Sequence, residues 1–90
     1  MTQERIIACA KELSKITIKR HKEKLLGKEK MSKFIKNNIA EEITKKEYDA
    51  ILHLYSRYLA KEGYEIIKDI YHFDIIDYNI DEYKIYCDDK

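Results

Sequence analysis

The stretch that decides the fold runs from Thr44 to Gly63 and reads TKKEYDAILHLYSRYLAKEG. Thr44 and Glu47 have the T-x-x-E spacing of a capping box, in which each side chain accepts a hydrogen bond from a backbone N–H of the first helical turn. Gly63 stands where a left-handed residue commonly ends a helix. Between these ends, apolar side chains recur at the i, i+3, i+4 spacing of a helix that lies on a core. They are Tyr48, Ile51, Leu52, Tyr55, Tyr58 and Leu59. The stretch therefore predicts one amphipathic helix with both ends defined.

Residues 3–26 carry a helical pattern that is broken in the middle. Thr2 is a suitable N-cap, and the apolar face begins with the two isoleucines that follow it. Over residues 14–19 the β-branched side chains alternate with period two, which fits a short strand as well as a helix. Residues 3–26 could form one bent helix or a helix, a strand and a second helix. We prefer a helix with an interruption near Ile16, and Gly27 is placed to end the segment.

Residues 28–43 predict a second helix, because Met31, Ile35, Ile39 and Ile43 follow one another at steps of four. This helix must end near Ile43, since Thr44 begins the cap of the next one. The short connection makes the second and third helices neighbours.

After Gly63 the composition changes, because residues 64–90 contain no Leu or Ala and are rich in Ile and Tyr. Ile and Tyr favour strands, whereas Leu and Ala favour helices. A loop over residues 79–82 would pair Tyr78 with Tyr83 and Ile76 with Ile85. A shift in apolar alternation indicates a bulge or bend near Phe73–Ile76. A helix over residues 65–78 is the competing prediction, and the strand prediction is preferred.

The elements together predict an α+β fold with two to three N-terminal helices followed by a C-terminal antiparallel β-hairpin packed on the third helix. Ninety residues suffice for one small domain, helical over 1–62 and β-rich over 64–90. Residues 16–18 are available as an added strand. An apolar content of 44% beside 39% charged residues is typical of a globular chain.

The net charge of +1 is the sum of a basic N-terminal half and an acidic C-terminal half. Residues 1–46 hold 13 Lys and Arg against 6 Asp and Glu, and residues 47–90 hold 5 against 11. The two halves therefore carry +7 and −6, which is typical of a face that docks a charged partner, of a nucleic-acid face, or of head-to-tail self-association. No apolar run is long enough to span a membrane and no basic leader precedes one, so we expect a cytoplasmic protein without a membrane partner.

The basic half gives the alternative functional hypothesis, a regulator that binds nucleic acid. The candidate phosphate contacts are Lys15, Lys19, Arg20, Lys22, Lys24 and Lys28. Arginine is scarce and no aromatic residue precedes Phe34, so binding there would be electrostatic and non-specific. A helix-turn-helix is disfavoured, because the spacing from Leu13 to Ile18 is about two residues too short for that unit.

The C-terminal part gives the leading hypothesis, a small non-enzymatic regulator that binds a larger protein as an adaptor or inhibitor. Tyrosines lie there among acidic residues, and Tyr offers a large, rigid contact surface with a polar tip. The candidate contacts are Tyr71, Asp74, Asp77, Tyr78, Asp81, Glu82, Tyr83 and Tyr86. The frequent use of Lys, Ile and Tyr is typical of AT-rich genomes, which suits a protein carried by a phage or mobile element.

Catalytic, cofactor and metal sites are not predicted. The three histidines lie on different elements without metal-ligand spacing, and Cys9 and Cys87 form no C-x-x-C motif. Residues 82–84 match the (D/E)-x-K part of metal-dependent nucleases, but matches of three residues are common by chance. We therefore expect a protein that is not an enzyme.

Overall fold

The computed structural model describes residues 2–68 and 72–77. Three helices come first, α1 (Gln3–Lys22), α2 (Met31–Asn38) and α3 (Lys45–Lys61), and two strands follow, β1 (Tyr64–Lys68) and β2 (Phe73–Asp77). The strands form an antiparallel hairpin, and both β1 and α1 pack on α3. The predicted α+β fold, with helices first and a hairpin on the third helix, is confirmed.

Helix α3 begins and ends as its local sequence predicts. The Thr44 hydroxyl accepts a hydrogen bond from the Glu47 N–H at 3.2 Å, and the Glu47 carboxylate accepts one from the Thr44 N–H at 2.8 Å. At the other end Gly63 has φ of +89°, and its N–H donates to the Ala60 carbonyl at 3.0 Å. Both ends satisfy backbone groups that a helix otherwise leaves without partners.

Helix α1 is continuous, so the predicted interruption near Ile16 is wrong, and residues 16–18 are helical rather than an added strand. The hydroxyl of buried Thr17 donates to the Leu13 carbonyl at 2.7 Å, one turn back in the same helix. Thr17 also contacts α3 through the Tyr55 hydroxyl. Tertiary packing on α3 therefore overrides the weak strand preference of the β-branched residues.

Helix α1 ends before Gly27, and Lys24 takes the left-handed position with φ of 60°. The Lys24 N–H donates to the His21 carbonyl and the Leu25 N–H to the Arg20 carbonyl, which is the Schellman pattern. Gly27 also has positive φ, at 87°, but it lies in the loop after the helix. There its N–H donates to the Phe73 carbonyl at 2.9 Å, so it connects this loop to strand β2.

Helix α2 is shorter than predicted, covering eight residues rather than 28–43. The Asn38 side chain donates to the Phe34 carbonyl at 2.8 Å, and Ile39 leaves the helix with an extended backbone. A side-chain amide that binds a backbone carbonyl competes with the helical hydrogen-bond pattern. Ile39 remains buried although it is no longer helical.

The hairpin pairs residues in continuous register from Tyr64 opposite Asp77 to Lys68 opposite Phe73. The strand prediction is therefore confirmed over the helical alternative for residues 65–68 and 73–77, but the predicted bulge near Phe73–Ile76 is wrong. Phe73 and Ile75 face the core, whereas Ile76 is exposed on the outer face. The predicted pairs that involve Tyr78, Tyr83 and Ile85 lie outside the described residues.

The core lies between α1, α3, α2 and the inner face of the hairpin. Its largest fully buried side chains come from every element except β1, and they include Tyr55, Phe34, Phe73 and Leu13. The Phe34 and Phe73 rings lie with centroids 5.2 Å apart, which joins α2 to β2. The Phe73 N–H donates to the Glu29 carbonyl at 3.0 Å, so the loop after α1 is also attached to the sheet.

Candidate functional site

A groove of about 580 Å³ runs between α1 and the C-terminal end of α3. We call it the lysine groove. It is lined by Lys11, Ser14, Lys15, Ile18, Lys19, Lys22, Tyr58, Lys61 and Glu62. Five of these nine residues are lysines, and one is acidic.

The helical period of α1 produces the row of lysines. Lys11, Lys15 and Lys19 follow at steps of four residues, and Lys22 lies almost one turn further on. At 1.5 Å per residue the row extends for about 16 Å along the helix axis, with about 6 Å between successive steps of four. All four side chains are exposed, whereas neighbouring Ser14 is buried against the rest of the molecule.

Helix α3 supplies the opposite wall of the lysine groove. Tyr58 and Ile18 are half-buried and pack against the core, so together they give the groove an apolar floor. The Lys61 ammonium lies 5.9 Å from the centroid of the Tyr58 ring, within the range of a cation–π contact. Glu62 follows as the C-cap residue of α3.

The lining that the structure describes carries an excess of positive charge. In the described part of the chain, none of its five lysines forms an ion pair. Five ammonium groups around one carboxylate therefore attract an anion, and each like charge nearby raises the local potential. An apolar floor beneath such a rim suits a ligand that carries both phosphate and apolar or aromatic parts.

Three of the six basic residues predicted to bind nucleic acid line this groove, namely Lys15, Lys19 and Lys22. Arg20 has a structural role instead, because its guanidinium lies 5.1 Å from the Phe34 ring centroid and 3.8 Å from the Glu29 carboxylate. Lys24 ends helix α1, and Lys28 is exposed in the following loop.

Sequence interpretation missed six residues of the groove, among them Lys11, Tyr58 and Lys61. Lys11 could have been predicted from the sequence, because it lies four residues before Lys15 on the same helix. Tyr58 and Lys61 could not have been predicted, because only the packing of α3 on α1 brings them to the groove, and no local sequence pattern encodes that packing.

Of the eight residues predicted to bind a protein partner, the structure describes Asp74 and Asp77. The Asp74 carboxylate accepts a hydrogen bond from the Ile75 N–H at 2.7 Å and lies 3.7 Å from Nδ1 of His21, so it connects β2 to the end of α1. Asp77 is exposed opposite Tyr64. The other six lie outside the described residues: Tyr71, Tyr78, Asp81, Glu82, Tyr83 and Tyr86.

The hairpin exposes apolar side chains on the face that points away from the core, which we call the hairpin outer face. Ile67 and Ile76 are 45% and 43% exposed. Each stands opposite an acidic residue in the register, Ile67 opposite Asp74 and Ile76 opposite Glu65. This mixture of apolar and acidic side chains is a second candidate for a binding surface.

Other kinds of site have little support. Over residues 2–68 and 72–77, no group of three or more His, Cys, Asp or Glu side chains is close enough to hold a metal ion. Cys9 is buried in the core among apolar side chains. None of the helices in these ranges combines the length and apolar character needed to cross a bilayer.

Comparison with known proteins gives no match: no family model, no curated protein and no solved structure corresponds to this chain. Within residues 2–68 and 72–77, the lysine groove and the hairpin outer face are the two features on which we base a function.

Proposed function

We propose that this protein is a small non-enzymatic regulator that binds nucleic acid through the lysine groove. The observation that carries the proposal is the set of five ammonium groups around one groove, none of which forms an ion pair with another residue that the structure describes. The alternative explanation is an ordinary solvated helix face. Lysines on such a face do not need to line a groove, and their charges are commonly interspersed with acidic side chains. Here the positive charges converge from two helices on one concave surface.

Phosphates are the anions that fit a row of this kind. A nucleic acid offers repeated negative charges, and each phosphate neutralised by a lysine releases a condensed counterion. With five such contacts on a single strand, the logarithm of the binding constant should fall with the logarithm of salt with a slope of about −3 to −4. Affinity should then drop on the order of 100-fold between about 50 mM and about 200 mM salt.

The test is fluorescence anisotropy of labelled single-stranded and double-stranded oligonucleotides with the purified protein. The variant Lys15→Glu/Lys19→Glu should lose about tenfold or more in affinity and show a salt slope flatter by roughly one to two. The control Lys33→Glu/Lys46→Glu changes the net charge equally at exposed lysines outside the groove.

The control variant should bind as the parent does. Equal losses in both variants would show that only net charge matters, and absence of binding at low salt in the parent would refute the proposal. Thermal unfolding followed by circular dichroism checks that both variants fold.

The hairpin outer face supports a second candidate function, binding of a protein partner as an adaptor or inhibitor. The supporting observation is the exposure of Ile67 and Ile76 beside two acidic residues. The variant Ile67→Thr/Ile76→Thr keeps β-branched strand residues and removes apolar contact area.

This variant should retain the fold and lose a partner protein that the parent captures in a cross-linking pull-down. Ile18→Thr, at an apolar position in the lysine groove, is the comparison variant and should keep that partner. Capture of the same partner by the outer-face variant would exclude this face as the binding surface.

A further inference from the structure

We infer that the lysine groove binds single-stranded rather than double-stranded nucleic acid, with one unstacked base against Tyr58 and Ile18 and the adjoining phosphates on the lysines of α1. This inference rests on the proposed function and adds the class of nucleic acid. The observation behind it is that one groove combines an apolar, partly aromatic floor with a rim of ammonium groups.

The floor of the groove has no role in binding a duplex. In a double helix the bases are paired and stacked inside, so the backbone presents phosphates and sugars to a surface groove. A single strand can turn a base outward and stack it on an aromatic side chain, and every base has a face that permits this. A volume of about 580 Å³ is within the range of pockets that hold small ligands, so the groove is large enough for a base and its sugar.

Tyr58 is positioned to act as the stacking platform. Its ring is half-buried, which fixes it against the core, and it remains part of the groove lining. In the free protein the Lys61 ammonium lies 5.9 Å from the ring centroid. A phosphate at the rim attracts this flexible ammonium more strongly than the ring does, so the ring face becomes available to the base.

Glu62 sets the direction of the strand across the groove. Among the residues that the structure describes, it is the one carboxylate of the lining, and it lies at the end of α3 beside Lys61. Its negative charge repels phosphates, so the backbone of the strand follows the lysines of α1 while the base points toward α3. Ser14 lies on the α1 side of the groove, as does Ile18 of the floor.

The experiment compares three labelled probes of about 10 nucleotides by anisotropy: a mixed-sequence single strand, its duplex, and an abasic strand with the same number of phosphates. The parent should bind the single strand roughly tenfold more tightly than the abasic strand, because the loss of base stacking removes that much affinity. It should also bind the single strand more tightly than the duplex.

Two variants test the ring itself. Tyr58→Phe keeps the aromatic face and should bind the single strand within about twofold of the parent. Tyr58→Leu keeps apolar volume without a ring and should lose roughly tenfold on the single strand while leaving abasic and duplex affinities unchanged. The comparison of probes on the parent needs no variant, so it stands even if Tyr58→Leu fails to fold.

Equal affinity for the normal and abasic strands, or tighter binding of the duplex, would overturn this inference and leave the proposed function intact. Absence of binding to all three probes would refute both. Vesicles containing an anionic phospholipid serve as a further probe. Binding to these vesicles that exceeds binding to the single strand would assign the groove to lipid headgroups and overturn the inference as well.

Discussion

Lys24 occupies a backbone conformation that residues with a side chain rarely adopt, with φ of 60°. It takes this conformation because the Schellman hydrogen bonds at the end of α1 need a left-handed residue at that position. Glycine pays no steric penalty there, whereas a side chain does. The local sequence does not predict a left-handed residue at Lys24, because the expected helix terminator, Gly27, lies three residues later.

We therefore expect Lys24→Gly to raise the free energy of unfolding by about 0.5–1 kcal/mol. The comparison variant is Lys22→Gly, which places glycine at the last helical residue of α1 and should lower that free energy by about as much. Urea unfolding followed by circular dichroism measures both. Destabilisation by Lys24→Gly would show that the lysine side chain contributes more than the strain costs.

At the scale of elements, the predictions succeeded where the signal is local and failed where packing decides. The cap at Thr44 and Glu47 and the stop at Gly63 define α3 without reference to the rest of the chain. The continuity of α1 depends on Thr17, whose hydroxyl is satisfied by Leu13 and by Tyr55 of α3. A pattern of alternating β-branched residues contains no information on that second contact.

In the candidate site, too, the locally encoded residues were predicted and those that depend on packing were not. Lysines on α1 repeat with the helical period, so three of the predicted contacts lie in the lysine groove. The groove exists only because α3 packs beside α1 and brings Tyr58 and Lys61 to it. Arg20 belongs to the same predicted set of contacts, but the packing of α2 places Phe34 under its guanidinium. Sequence therefore predicted a basic helix face, and tertiary structure decides which of its members share a groove.

At the scale of the whole molecule, the basic and acidic halves meet around one core. Most of the lysine groove comes from the half with net charge +7, whereas the acidic residues of the hairpin outer face come from the half with −6. At the centre of the core, the Tyr55 and Thr17 hydroxyls lie 2.6 Å apart. The Thr17 hydrogen is used by the Leu13 carbonyl, so Tyr55 is the donor in this contact. This hydrogen bond joins α1 to α3, and the groove depends on that packing.

Because Tyr55 lies in this core, stability should depend on its protonation. Burial raises the pKa of Tyr55 well above its ordinary value. The unfolded chain releases this proton near pH 10, so the contribution of Tyr55 is complete below about pH 10 and is lost as the pH rises further. We expect the free energy of unfolding, measured by urea titration, to fall from about pH 10 upward.

The variant Tyr55→Phe should lower the free energy of unfolding by about 1 kcal/mol at neutral pH and should flatten its decline at alkaline pH. Deprotonation of lysines affects parent and variant alike, so an equally steep decline in both would show that Tyr55 ionises as readily in the folded core as in the unfolded chain.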